Sequence, residues 1–535
     1  MSQVRTDINM NKTSKNEVCL MDNFKKYYTV DAKGGNAEYF ETDLEEALDV
    51  AGAGKYQVYH CILMLATLSS ALLEIIGNAF ILPAAACDLN LPDHLRGIVT
   101  SVPNLGVILT APAWGWAADS LGRKPVLLAS CVISGAIGLA AAFATTLSGY
   151  AICKFLASLF LSCPSSLGWA YIGEMLPRRR RDAAVLICNG FLMLSSTLSP
   201  VIAWGILSHE WRCSDGSFVI RPWRLLTITY ALPLLLVGLG IVQADESPKF
   251  LVAKGKKRQA LAVLKKIYAV NSGLSEDHYC VTSLRDDGKR MTSETGPGCV
   301  VTKWRGDSTL SLLRPPHLKW LALTGFLMFG LFSLLNGLFL LAPDTINKIF
   351  TSPIIDEGNI CVFIGQSNDT AVISEPCVDT ISHATFLIMV VTTLVYSVVV
   401  LLACLSPLNK KTLLISMFTT VGVACLMSGL QENKMVAGAA MSAMQLTALG
   451  IGPLTAYTVH LFPTTLRGTA VGAVLMFGRL GSVVGASAAG YFLAAACAGT
   501  FYGFSALLFL CAALSFLLPK HHSSASCDYE DADTR

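Results

Sequence analysis

Residues 384–405 read ATFLIMVVTTLVYSVVVLLACL, an apolar run without one Asp, Glu, Lys or Arg. At about 1.5 Å per residue, a helix of some 20 such residues matches a hydrocarbon layer about 30 Å thick. A helix is the spanning form expected, because each backbone group is then satisfied within its own segment. Similar runs recur along the chain. Hydropathy places spans near 59–86, 97–118, 126–147, 150–173, 183–207 and 223–243, then near 319–343, 384–405, 412–430, 436–459, 469–493 and 497–518. The sequence therefore predicts an all-α membrane protein with twelve transmembrane helices.

Composition agrees. Of 535 residues, 53% are hydrophobic and 14% charged, whereas a soluble chain carries about a quarter charged residues. The formal net charge of +3 gives no ground for a nucleic-acid partner; the lipid bilayer is the expected one. Most of the 17 Cys lie in apolar runs, among them Cys131, Cys153, Cys188, Cys404, Cys425 and Cys511, where Cys packs as a small hydrophobe. No CxxC pair or Cys/His cluster has metal-ligand spacing. Neither a phosphate-binding loop nor a catalytic triad is found. No metal, no cofactor and no enzymatic activity are expected. Residues 1–55 are polar and mixed in charge, so no cleaved signal peptide is expected.

Charge fixes the orientation. With the N-terminus in the cytosol, 32 of the 40 Lys and Arg fall on the cytosolic side, as the positive-inside rule requires. Arg96, Arg212, Arg221, Arg224, Lys348 and Lys434 fall opposite, and Lys154 and Arg479 lie within spans. Both termini are then cytosolic. The expected organisation is a cytosolic tail over 1–55, a six-helix bundle over 56–243, a cytosolic linker over 244–318, a second bundle over 319–518 and a tail over 519–535. In the linker, Phe250, Leu251, Leu261, Leu264 and Ile267 recur at mostly helical spacing and predict one or two amphipathic helices. The loop 344–383 faces outward or into a lumen. It carries the glycosylation sequon Asn368-Asp369-Thr370. Cys361 and Cys377 share this loop and are candidates to pair in an oxidising compartment.

The halves echo each other at one offset. Glu174-Met175-Leu176-Pro177-Arg178-Arg179-Arg180-Arg181 aligns with His460-Leu461-Phe462-Pro463-Thr464-Thr465-Leu466-Arg467. The same offset sets Asp119-Ser120-Leu121-Gly122-Arg123-Lys124 on Leu405-Ser406-Pro407-Leu408-Asn409-Lys410. A duplicated six-span unit gives two pseudo-symmetric bundles around a central cavity.

At these residues the chain resembles the major facilitator superfamily. Gly115-Trp116-Ala117-Ala118-Asp119-Ser120-Leu121-Gly122-Arg123-Lys124 is similar to that family's signature loop after the second helix. The resemblance implies a cytosolic charge latch at Asp119 and Arg123, with Gly115 allowing close helix approach and Gly122 the turn. Glu174, Pro177 and Arg181, and Pro463 with Arg467-Gly468, resemble the matching loops of the sugar and organic-ion branches. Glu74 and the Glu246-Ser247-Pro248-Lys249-Phe250-Leu251 stretch resemble the group of synaptic vesicle glycoprotein 2 and its related protein, which adjoins the organic cation and anion transporters. The second-half loop departs from the pattern, with Leu405 for the acid, Leu408 for the glycine and His460 for the Glu.

Ionisable groups inside spans are expensive and mark function by default. Glu74, Lys154 and Arg479 are the three found. Glu74 is a candidate to bind a cation or carry a proton, with Lys154 as an ion-pair partner. Arg479 is a candidate to neutralise a substrate carboxylate or to balance Glu74. Each also reads as an interspan contact with no part in transport. Asn78, Trp169, Asn336, Gln445 and Tyr457 lie at similar depth, and Pro103, Pro112, Pro164, Pro200 and Pro453 are expected to kink their spans. The expected function is secondary active transport of a small organic solute, charged or not, by alternating access, with a proton or other ion as the coupling partner. The alternative is a non-transporting vesicle-type membrane protein that keeps the fold as a regulator or binding partner. A monomer is expected, in the plasma membrane or an intracellular vesicle membrane.

Overall fold

The computed structural model describes residues 40–208, 213–215, 218–285, 314–315, 317–351, 361, 381–405, 409–462 and 467–519. The sequon at Asn368 and the thiol of Cys377 lie outside the described residues. The chain folds as twelve helical spans in two pseudo-symmetric bundles. Among the described residues, eleven helices are long and apolar enough to cross a bilayer. They begin with Lys55–Ala85, Leu95–Leu121, Arg123–Ala141, Leu147–Glu174, Arg178–Leu207 and Pro222–Gln243, the first six spans. His317–Asn347, His383–Ala403 and Lys410–Leu430 are the seventh to ninth, and Thr469–Leu493 and Cys497–Ser515 the last two. Leu236, Leu239, Leu402 and Phe516 stand exposed on the outside, on the surface a bilayer covers.

The tenth span falls short as a single helix because it is divided. Lys434–Ala443 gives way to a 3-10 stretch, Met444–Gly450, before Ile451–Leu461 resumes. Seven residues is long for 3-10 geometry, whose hydrogen bonds are poorer than those of an α-helix. The first and seventh spans break alike. Lys55–Ile76 passes through Gly77 into Asn78–Ala85, and His317–Asn336 passes through Gly337 into Leu338–Thr351. Pro83 and Pro343 follow at the same distance from each glycine. Each lacks the N–H that would bond to the carbonyl four residues back.

Contacts divide the chain into two compact units. One takes 1–61, 171–182 and 245–299, and the other 62–170, 183–244 and 300–535. In the first unit the linker forms the helices Pro248–Ala253 and Lys257–Ser272, burying Phe250, Leu251, Ala260, Leu264 and Ile267. A segment ahead of the first span joins them. Asp43 caps the helix Leu44–Ala51, its side chain accepting from the Glu45 N–H at 2.9 Å. Leu44, Ala47, Leu48 and Ala51 repeat at amphipathic spacing and are buried. The strand Phe40–Thr42 runs parallel to Val281–Leu284.

In the second unit one expectation is corrected. Cys361 forms its disulfide with Cys497, at the start of the twelfth span, rather than with Cys377. The Cα atoms of Cys361 and Cys497 lie 5.5 Å apart, well inside bonding reach. Sharing a loop did not decide the pairing; the fold brings a residue 136 positions away within reach.

Candidate functional site

Glu74 stands one turn before the break in the first span, and Lys154 two turns into the fourth. The two spans run antiparallel, so their side chains meet in rungs. Lys154 Nζ lies 2.5 Å from Glu74 Oε1, and each side chain is 3% exposed. One turn away, the Tyr150 hydroxyl donates to Asn78 Oδ1 at 2.7 Å. Gly138 of the third span closes the pair from one side, since a Cβ there would stand 3.1 Å from Glu74 Oε1. Glu74 Oε2 is buried with no hydrogen-bond partner among the described residues. The pair expected from sequence is therefore formed, and it is enclosed by protein. Beside it, between the first and fifth spans, Ser69, Ser195, Ser196 and Ser199 line a shallow crevice with Leu72 and Ile76 that has no room for a water molecule.

Arg479 occupies the middle of the eleventh span and is half-buried. Its Nη1 donates to Asn104 Oδ1 of the second span at 3.5 Å, and its guanidinium carbon lies 5.6 Å from the centre of the Phe332 ring. No carboxylate pairs with it among the described residues. Arg479 does not balance Glu74, because Lys154 does. Asn336 is engaged with Ser482 Oγ at 3.0 Å. Gln445 sits in the 3-10 stretch of the tenth span, 8% exposed, with its Oε1 unpartnered among the described residues. Tyr457 is buried, its hydroxyl 3.5 Å from the Pro519 carbonyl, and Trp169 is half-buried.

The second and eleventh spans carry the most informative geometry. At one end, a Cβ on Gly97 would stand 2.3 Å from the Ala486 carbonyl and 2.6 Å from the Gly490 Cα. Backbones meet there, as small residues allow. Ser487 and Ser101 follow at 3.4 Å. Gly115 lies five turns along the same face of the second span from Gly97, and Gly472 five turns along the same face of the eleventh from Gly490. In antiparallel register Gly115 is the counterpart of Gly472, yet among the described residues no neighbouring element comes within 4 Å of the Cβ position of either. One seam is thus closed at one end and parted at the other. At the closed end Arg96 pairs with Asp344, the rings of Phe80 and Phe386 stack at 6.4 Å, and Trp204 Nε1 donates to His383 Nδ1 at 3.2 Å.

At the parted end Asp119 and Arg123, the residues expected to form a latch, hold each other. Arg123 Nη2 lies 3.3 Å from Asp119 Oδ1, and Nη1 donates to the Ala118 carbonyl at 2.9 Å. The intervening Gly122 has φ 114°, a conformation that favours glycine. In the first unit, Arg181 donates to both oxygens of Glu45, at 3.0 and 3.2 Å, and Lys249 reaches the same carboxylate at 2.6 Å. Burial raises the Glu45 pKa, but hydrogen bonds and charges from Lys249 and Arg181 outweigh burial and hold it below its ordinary 4.5. Asp245 accepts from Tyr56 at 2.7 Å and pairs with Lys266 at 2.7 Å. The side chain of Arg467 is not among those described.

Sequence reasoning missed Glu45 and the pair Arg96–Asp344. Glu45 had a signal, the capping Asp43 before Leu44-Glu45-Glu46-Ala47-Leu48. Arg96 and Asp344 had none, because charges at span ends are ordinary.

The family model described as the Major Facilitator Superfamily matches residues 62–358, more than half of the chain. The mouse protein synaptic vesicle glycoprotein 2C is 27% identical over 270 residues, covering 49% of this chain and 37% of that one. Synaptic vesicle glycoprotein 2A of rat is 27% identical over 271 residues, covering 49% and 36%. Each match spans little more than a third of the relative's length. Among solved structures, the xylose transporter of E. coli in its partially occluded inward-open conformation superposes with a TM-score of 0.59 at 15% identity, covering 87% of this chain and 100% of that chain. The inward-open conformation of the same transporter gives 0.59 at 15% identity, over 86% and 96%.

Proposed function

Because this chain belongs to the major facilitator superfamily, we propose that it is a secondary active carrier that moves a small organic solute by alternating access. The observation that carries this reading is the seam between the second and eleventh spans, closed at Gly97–Gly490 and parted at Gly115–Gly472. A carrier needs two access states, and one seam with two matched contact points supplies them by rocking. Charge bias supports a cytosolic position for the parted end. The Cys361–Cys497 disulfide supports the opposite side facing an oxidising space. This is then the inward-facing state. Glu74, with one oxygen on Lys154 and one without a partner among the described residues, is the group we assign to proton coupling. Protonating it would release Lys154 and change the charge of the first-to-fourth-span contact. Vesicle relatives favour an intracellular vesicle membrane over the plasma membrane.

The test is solute uptake into proteoliposomes of the purified chain, using pooled organic cations and pooled organic anions, with and without a pH gradient. Saturable uptake is expected, and Glu74→Gln should abolish its dependence on the gradient. A folded protein that moves neither pool would overturn the carrier reading. It would favour a second one, a fold-retaining regulator of a vesicle membrane, which the loss of the acid and glycine at Leu405 and Leu408 supports.

A further inference from the structure

The mid-membrane charges of the described spans do not cancel. Glu74 and Lys154 neutralise each other at 2.5 Å, so Arg479 is the charge left over. A structural arginine at that depth would be expected to hold a carboxylate or several carbonyls, because an unpaired ion in a low dielectric is costly. Arg479 instead has one hydrogen bond, to Asn104 Oδ1 at the 3.5 Å limit, and the face of Phe332 at 5.6 Å.

Donors also outnumber acceptors. A guanidinium carries five N–H groups, and four of those on Arg479 have no acceptor among the described residues. Asn104 is 1% exposed, and its Nδ2, with its acceptor oxygen already turned to Arg479, is buried without a partner among the described residues. The site is a set of donors, one of them charged, that shares a single acceptor, Asn104 Oδ1, among the described residues. The Phe332 ring offers its face to the guanidinium at 5.6 Å, a contact that favours the cation.

Position adds to the chemistry. Arg479 and Asn104 lie on the seam between its closed part, at Ser101–Ser487, and its parted end, at Gly115–Gly472. A ligand held there sits near mid-membrane, where the two access states exchange.

Resting on the carrier reading above, we propose that the solute is an organic monoanion whose carboxylate binds Arg479 and Asn104. The planar fork of a guanidinium matches a carboxylate with two parallel N–H bonds. One positive charge compensates a monoanion, whereas a divalent phosphate would retain an unpaired charge. A cationic solute would be repelled by Arg479 and would find Glu74 already occupied by Lys154.

The test uses the purified full-length chain and three probes with one aryl body: benzoate, benzamide and benzylamine. Thermal shift gives binding, and uptake into proteoliposomes gives transport. Benzoate is expected to stabilise the wild-type protein while benzamide and benzylamine do not. Arg479→Gln should weaken benzoate by about tenfold or more, the scale of a charged hydrogen-bonded contact. Arg479→Lys should retain part of the binding through its charge, and Asn104→Ala should lose several-fold. Melting temperatures without probe check that each variant folds. Equal benzoate affinity in wild type and Arg479→Gln, preference for benzylamine, or no binding of any probe to the folded wild type would each overturn the proposal. Benzoate binding without uptake would keep the anion site and remove the carrier, whereas uptake of benzylamine alone would keep the carrier and remove the anion.

Discussion

Replacing Lys154 with methionine would strand the Glu74 carboxylate among buried groups that offer its second oxygen no partner. Breaking a buried ion pair from one side costs on the order of 3–5 kcal/mol, whereas removing both charges costs far less. Lys154→Met is therefore expected to lower thermal stability severely, and Glu74→Gln with Lys154→Met to recover most of the loss. Unfolding of the three purified proteins measures this; a double variant as unstable as the single one would mean the pair is not what holds these spans. Residues of this kind are the most legible in sequence. A charge inside an apolar run announces itself, and antiparallel spans predicted that Glu74 and Lys154 lie at similar depth. Which charge would stay unpaired was not legible, because Lys154 and Arg479 carry the same sign and only packing decides which meets Glu74.

Two helices crossing backbone to backbone make a contact that a side chain at Gly97 would wedge apart. Overpacking typically costs about 1–3 kcal/mol, enough to move a two-state equilibrium about tenfold or more. Gly97→Leu is expected to favour the state in which the other end closes. Gly115→Cys with Gly472→Cys reads that out, since a short bifunctional thiol reagent should link them weakly in the parent background and strongly once Gly97→Leu is added. Unchanged linking would count against rocking about this seam. At this scale the sequence told the number of spans and their halves, yet it concealed the division of the tenth. Met444-Gln445-Leu446-Thr447-Ala448-Leu449-Gly450 is apolar enough for an α-helix, and hydropathy does not separate an α-helix from 3-10 geometry. Gly450 at its end, with Gly452 beside the Pro453 already expected to kink this span, was the available cue. The matching breaks at Gly77 and Gly337 escaped notice because the long loop after the seventh span shifts them out of the register of the other repeats.

Across the whole molecule, the unit built from 40–61, 171–182 and 245–285 joins parts far apart in sequence through one carboxylate. Glu45 has its pKa lowered in the folded state. Its contribution is then fully present above its ordinary 4.5 and is lost as pH falls through the lower folded value. Amide exchange over 44–51, corrected for intrinsic rates, is expected to be level from neutral pH to that range and to rise below it. Glu45→Gln should exchange about fivefold faster even at neutral pH, matching roughly 1 kcal/mol for partly exposed ion pairs, and should lose most of the acid dependence. The same acid dependence in both proteins would show that other groups control the unit. The linker half of this unit was legible from its apolar spacing; the segment ahead of the first span was hidden because its four apolar positions are embedded in polar sequence.

The parallel pairing of Phe40–Thr42 with Val281–Leu284 also sets an order of events during synthesis. The first strand leaves the ribosome long before its mate has been translated. At roughly 5–20 residues per second, it waits on the order of ten seconds to a minute. In that interval the first six spans must be threaded into the bilayer. The two-strand clasp can close only on a chain whose first half has already been made, so its closure reports on the progress of insertion.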